Sequence, residues 1–179
     1  MKSIIQSVAL AASISLGATT LNAASAPDFN LRNLRGERVN LKALLAKGPV
    51  LLDFWATYCK PCVKAMPKLQ KIHEKYGKSG LTVLGVNVDG PRGQNRVKPF
   101  LRARKVSFPI ALDSDSAVMR RMQVNVLPTT LLITADGEIA LRQVGYNSKN
   151  ADLLLAAVEA LFPDAGADVE AKTDASADQ

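Results

Sequence analysis

Six consecutive positions, Val50-Leu51-Leu52-Asp53-Phe54-Trp55, constrain this chain most, because all but Asp53 are apolar and neither face of a strand is left for water. Such a strand is buried on both sides, as in the parallel centre of a sheet between layers of helices. The period then changes. Over residues 60–76, Cys62, Met66, Leu69, Ile72 or His73, and Tyr76 fall on one side of a helix, Lys64, Lys68, Lys71 and Lys75 fall on another, and Gly77 closes it. A second apolar run, Leu81 to Val88, completes a β-α-β unit whose strands pair in parallel.

Upstream, Phe29, Leu31, Val39 and Leu41 straddle Asn33-Leu34-Arg35-Gly36 and predict a hairpin or extended lead-in, and a short helix through Leu44 and Leu45 ends near Gly48. Downstream, the turn-rich Asp89-Gly90-Pro91-Arg92-Gly93 opens a basic helix containing Phe100 and Leu101. A short strand over Phe108 to Leu112 follows, then a helix capped by Asp113 or Ser114 that carries Val118, Met119 and Met122. Val124 to Leu127 runs up to Pro128. Leu131–Thr134 and Glu138–Val144 flank Ala135-Asp136-Gly137, a hairpin turn whose Gly accepts positive φ. A last helix, about Asn150 to Phe162, turns Leu153, Leu154, Val158 and Leu161 inward. The fold class is α/β: a mixed sheet with a parallel core and an antiparallel edge, and helices on both faces.

With 179 residues, 47% of them hydrophobic, the chain suits one globular domain that buries its core without staples. Its ends read differently. Residues 1–26 have a basic head at Lys2, an apolar stretch from Ile4 to Leu21 and small residues at Ala23 to Ala26, the pattern of a secretory signal. An uncleaved anchor is the alternative, but six polar residues interrupt the roughly 20 apolar positions a spanning helix needs. Cleavage is expected between about 23 and 26; Pro27 disfavours the bond after Ala26. Residues 164–179 are rich in Ala and Asp, lack aromatics and predict a disordered acidic tail. The domain proper is residues 27–163.

The net charge of +7 divides into −4 over the tail and +11 over the rest. An export signal separates such a basic body from nucleic acid, so anionic membrane surfaces or acidic proteins are the better partners, against the plainer option of a solvated basic surface.

Only two cysteines are present, Cys59 and Cys62, where the first buried strand hands over to its helix. A bond between them closes a four-residue ring worth about 2 kcal/mol in chain entropy, little for a structural staple. Their position favours reactivity. The unpaired N–H groups and dipole at a helix N-terminus stabilise the Cys59 thiolate, Lys60 adds positive charge, and Pro61 is tolerated in the first turn. Cys62, deeper in the helix, is the resolving partner, which closes the ring after Cys59 has formed a mixed disulfide. A zinc half-site or an inert buried pair is the structural alternative, but two Cys and one His fall short of four ligands.

The segment Phe54-Trp55-Ala56-Thr57-Tyr58-Cys59-Lys60-Pro61-Cys62, with Pro27-Asp28-Phe29, Pro67, Val126-Leu127-Pro128-Thr129-Thr130 and Asp136-Gly137-Glu138, resembles the thioredoxin superfamily, and more closely its exported TlpA/ResA type. That resemblance covers nearly all of residues 27–163. It implies a thioredoxin-like fold with an N-terminal extension and a helical insertion after the second core strand. It also implies a cis Pro128 across from the cysteines, with Leu127 offering backbone groups to a substrate peptide; the plainer alternative is a trans proline opening a strand. Trp55, Tyr58, Lys60 and Pro61 would complete the substrate contacts, Trp55 also shielding the active-site turn. Pro67 matches the kink proline of the active-site helix, and Gly145 the small residue that lets strands approach near the site. Asp53 stands where thioredoxins carry a proton-relay Asp and the TlpA/ResA type more often a neutral residue. The lysine that faces this Asp in thioredoxins aligns with Gly85. Burial should raise the pKa of Asp53 and fit it to act as general base for Cys62. His73, about three turns down the helix, is a packed or surface residue.

The expected activity is therefore thiol-disulfide exchange with exported protein thiols, in the periplasm and without cofactor or metal beyond the Cys59/Cys62 disulfide. A reductase direction is favoured, acting on apocytochrome in cytochrome c maturation or on other oxidised thiols, with a membrane electron donor of the DsbD kind; a monomer is expected. An oxidant or isomerase is the runner-up, and a Cu(I) metallochaperone the non-enzyme alternative. A thiol peroxidase would need Thr and Pro three and seven residues before its Cys, where Ala56 and Leu52 stand.

Overall fold

The computed structural model describes residues 24–163, so positions 1–23 of the expected signal segment 1–26, and the expected acidic tail from Asp164, lie outside the described residues. Among the described residues seven strands form one sheet: β1 (Asn30–Asn33), β2 (Arg38–Asn40), β3 (Val50–Trp55), β4 (Thr82–Asn87), β5 (Ile110–Leu112), β6 (Thr129–Ile133) and β7 (Ile139–Val144). Their order is β2-β1-β5-β4-β3-β6-β7. β3, β4 and β5 are parallel neighbours, while the β1/β2 hairpin and the β6/β7 hairpin add antiparallel margins on either side. Every residue of β3 is buried, which is why its sequence shows no polar face.

Five helices of the described residues connect or flank these strands: α1 (Leu41–Leu45), α2 (Lys60–Tyr76), α3 (Gln94–Ala103), α4 (Ala117–Arg121) and α5 (Ser148–Leu161). The crossovers β3-α2-β4 and β4-α3-β5 step the same way across the sheet, so right-handedness sets α2 and α3 on one face. Gln70 of α2 accordingly bonds the N–H and hydroxyl of Ser107, just ahead of β5. On α2, Cys62, Met66, Leu69, Ile72 and Tyr76 are the buried stripe, and the helix runs through its interior Pro67.

Local details depart from the sequence pattern. Gly77 is the C-cap that closes α2, as expected, but with a right-handed φ of −59°: the chain continues through a 3₁₀ turn over Gly77–Ser79, and Gly80, with φ +105°, is the left-handed residue. Asp113 caps α4 from outside the helix, its carboxylate accepting from the N–H groups of Val118 and Met119. Val124 to Leu127 reaches Pro128 as a loop, and Leu153 of α5 is 55% exposed instead of inward. At the other end, Ala24–Ala26 joins the β6/β7 turn: the Ala26 N–H donates to Gly137 O and the Ile139 N–H to Ala24 O. No helix among the described residues is long and apolar enough to cross a membrane.

Candidate active site

The C-terminal ends of β3 and β4 and the N-terminal start of β6 meet at one end of the sheet. Trp55 pairs with Asn87 and Phe54 with Thr129, so Pro128 comes opposite the point where the chain leaves β3. From there Ala56–Tyr58 leads to Cys59, the N-cap of α2. Cys59 and Cys62 are joined in a disulfide with Cα atoms 5.3 Å apart. Cys59 is 8% exposed and Cys62 fully buried, so of the pair only Cys59 offers any surface to a partner. The Cys62 N–H, one of the helix's unspent first-turn donors, points at Cys59 Sγ over 3.2 Å. A thiolate there would receive a hydrogen bond and the positive end of a 17-residue helix.

The flanking loops are tied down by polar contacts. Asp89, buried just past β4, accepts from the Thr57 N–H at 2.8 Å, the Thr57 hydroxyl at 2.7 Å and the Asn87 side-chain amide at 2.7 Å. These bonds hold the peptide two residues before Cys59 against the end of β4. Sequence reading saw only a turn at Asp89; the available signal was a pair of polar residues, Asn87 and Asp89, ending an apolar run. On the other side the Thr129 hydroxyl donates to Val126 O at 2.7 Å, and the Leu127–Pro128 peptide bond is cis. Leu127 is half-buried, and its backbone groups have no hydrogen-bond partner among the described residues.

Of the expected contact residues, Tyr58, Lys60 and Pro61 are exposed around Cys59. Trp55 is not. It is fully buried, stacked on Phe100 of α3 with centroids 5.6 Å apart, so it supports the turn from beneath instead of touching a substrate. A Cβ at Gly85 would come within 3.0 Å of Trp55 Nε1 and 2.7 Å of Ile110 Cδ1, so the position facing Asp53 is kept empty to seat the indole. A Cβ at Gly145 would meet nothing within 4 Å, so its φ of +75° is what disfavours a side chain, and its N–H donates to Pro128 O. His73 sits edge-on to Phe108, away from the sulfurs, with Nδ1 buried and unpaired.

Asp53 is buried in β3 with one donor, the Thr130 hydroxyl at 2.8 Å. Thr130 shares a small cavity with Ala65 and Leu69 of α2, so the carboxyl lies on the sheet face that α2 covers. Burial pushes its pKa up to about 7, and the Thr130 bond only partly opposes that.

The AhpC/TSA family profile matches residues 23–142. The chain belongs to the AhpC/TSA family. Among relatives, a thiol-disulfide oxidoreductase ResA of Bacillus cereus is 35% identical over 124 residues, 69% of this chain and 70% of that protein. A crystal structure from Chlorobium tepidum, of a protein given the name thiol:disulfide interchange protein DsbE, superposes with a TM-score of 0.69 at 31% identity, covering 76% of this chain and 96% of that one. StoA from Bacillus subtilis gives 0.63 at 27% identity, over 75% and 98%. This AhpC/TSA chain thus has a thioredoxin-like fold with its cysteine pair where strand gives way to helix. Ala56 and Leu52 stand, fully buried, where a thiol peroxidase would carry Thr and Pro.

The raised Asp53 pKa sets a pH dependence of stability. Unfolded, the carboxyl titrates near its ordinary value of 3.8; folded, it keeps its proton to about 7. Between those values the native state holds more protons, so stability falls as pH rises, by on the order of 4 kcal/mol if nothing else changes. Urea unfolding of the oxidised protein from pH 4 to 8 is expected to show this loss, and Asp53→Asn to flatten it.

Proposed function

We propose that the protein is a thiol-disulfide oxidoreductase that exchanges disulfides with exported protein thiols and works as a reductase. The observation that carries this reading is the Cys59 sulfur at the N-cap of α2, with the Cys62 N–H 3.2 Å from it and the Cys62 sulfur bonded to it. In the reduced protein the Cys59 thiolate attacks one sulfur of a substrate disulfide, and the first substrate sulfur leaves as thiolate. Cys62 then loses its proton and attacks Cys59 Sγ, expelling the second substrate sulfur and closing the ring. Two electrons pass to the substrate, and two protons complete its thiols.

In this reading Asp53 takes the proton from Cys62, which its pKa of about 7 suits near neutral pH. The backbone of Leu127 pairs with an extended substrate segment, beside Pro128, while Tyr58, Lys60 and Pro61 contact it around Cys59. Residues 1–26 export the chain to the periplasm, where it acts as a monomer, beside an anionic membrane surface, on apocytochrome or other oxidised thiols. A membrane dithiol of the DsbD kind reopens the ring by the reverse sequence.

Cys62→Ser is expected to trap the mixed disulfide with a model peptide, seen by mass spectrometry, and Cys59→Ser to form none; trapping through position 62 alone would reverse the roles. Equilibrated with glutathione, the pair is expected nearer about −270 mV, as in thioredoxin, than about −120 mV, as in DsbA. The second value would make the protein an oxidant. Tight Cu(I) binding to the reduced protein with no exchange would favour the metallochaperone.

The relay role of Asp53 has its own test. Asp53→Asn is expected to slow ring closure by roughly tenfold or more and to remove the inflection near neutral pH from its rate profile. An unchanged profile would leave Asp53 structural.

A further inference from the structure

Tyr58, immediately before Cys59, is 70% exposed and forms one wall of a surface cavity of about 380 Å³. The other walls are the loop with Asp89, Pro91 and Arg92, and Arg96 of α3. Because β4 and β6 flank β3 on opposite sides, this cavity adjoins Cys59 on one side, while the exposed Val126 and half-buried Leu127 border it on the other. A peptide crossing Cys59 therefore meets apolar side chains on one flank and this cavity on the other.

The charge in the cavity is one-sided. Its only carboxylate, Asp89, is buried and turned inward, spent on Thr57 and Asn87. A Cβ at Gly93 would come within 2.8 Å of Asp89 Cβ, so that position is kept bare to let Asp89 lie back. Arg92 and Arg96 are exposed, and neither guanidinium has a carboxylate partner among the described residues. Lys60 and Lys64, exposed in the first turns of α2 beside Cys59, likewise have no carboxylate partner among the described residues.

We infer that the cavity of Tyr58, Arg92 and Arg96 receives an acidic segment flanking the reacting cysteine of a protein substrate. This deepens the exchange activity proposed above and rests on it. Tyr58 and Pro91 pack on the stems of the segment, and the two guanidinium groups pair its carboxylates, bidentate where geometry allows. The effect is selection among thiols: Cys59 reacts with any accessible disulfide, and the cavity decides which ones it meets most often.

The test uses the full-length protein and two disulfide-bridged peptides that differ only in residues beside the cysteine, Asp and Glu in one and Lys in the other. Neutral hydroxyethyl disulfide is the control that exchange occurs. At low ionic strength kcat/KM is expected to favour the acidic peptide by roughly tenfold, the scale of a few exposed charge pairs. Raising the ionic strength from about 0.01 M to about 1 M, which shortens the screening length from about 30 Å to about 3 Å, should erase the preference. Arg92→Glu with Arg96→Glu should reverse it, and Arg92→Gln with Arg96→Gln should remove it. Equal rates for the two peptides, or a preference indifferent to these variants, would overturn the inference. The chain's own acidic tail is the rival occupant. If amides at Asp164, Asp168, Glu170, Asp174 and Asp178 raise the acidic-peptide rate several-fold, the cavity belongs to the tail; an unchanged rate supports the external segment. Absence of exchange even with the neutral disulfide would instead sink the oxidoreductase reading, and this one with it.

Discussion

The contact between the Cys62 N–H and Cys59 Sγ, 3.2 Å long, is what the rest of the site exists to hold. A helix begins with N–H groups that have no partner inside it, and here the cap is a sulfur instead of the usual oxygen. Placing that sulfur requires the helix to start at one particular residue. The buried strand Val50–Trp55 fixes where the chain emerges, Asp89 clamps Thr57 to the end of the neighbouring strand, and the stripe from Cys62 to Tyr76 fixes how the helix lies on the sheet.

Two buried carboxylates serve this arrangement in different ways. Asp89 accepts three hydrogen bonds from Thr57 and Asn87, and that saturation suits a residue whose work is to position a loop. Asp53 has a single hydroxyl donor, so burial dominates and its pKa rises to about 7. Gly85 opposite it brings no cation. Its bare backbone is occupied by the Trp55 indole, which explains physically why a thioredoxin-like lysine has no room there.

How much was legible in the sequence follows from the range of the forces involved. β3, α2 and β4 could be read because burial on two faces or along one stripe writes its own period. The cysteine pair at the strand-to-helix handover was legible for the same reason. Local boundaries were less so: Gly77 and Gly80 both look like helix stops, and only the backbone shows which takes positive φ. Leu153 carries the pattern of an inward residue, yet α5 needs only Ala151, Leu154 and Val158 to cover its neighbours. Asp89 went unread because its partner Thr57 is 32 positions away, and no local pattern records a hydrogen bond of that span. An aromatic beside a reactive turn suggests substrate contact at Trp55, whereas stacking on Phe100 draws it under the turn.

The most direct test of the central claim is a pH titration of the fully reduced protein, following thiolate absorbance together with alkylation of each cysteine. Cys59 should ionise well below the roughly 8.5 of a free cysteine and be alkylated first, because the helix start and the Cys62 N–H favour its charged form. A Cys59 that titrates at or above that value, or a Cys62 that reacts before it, would contradict the account.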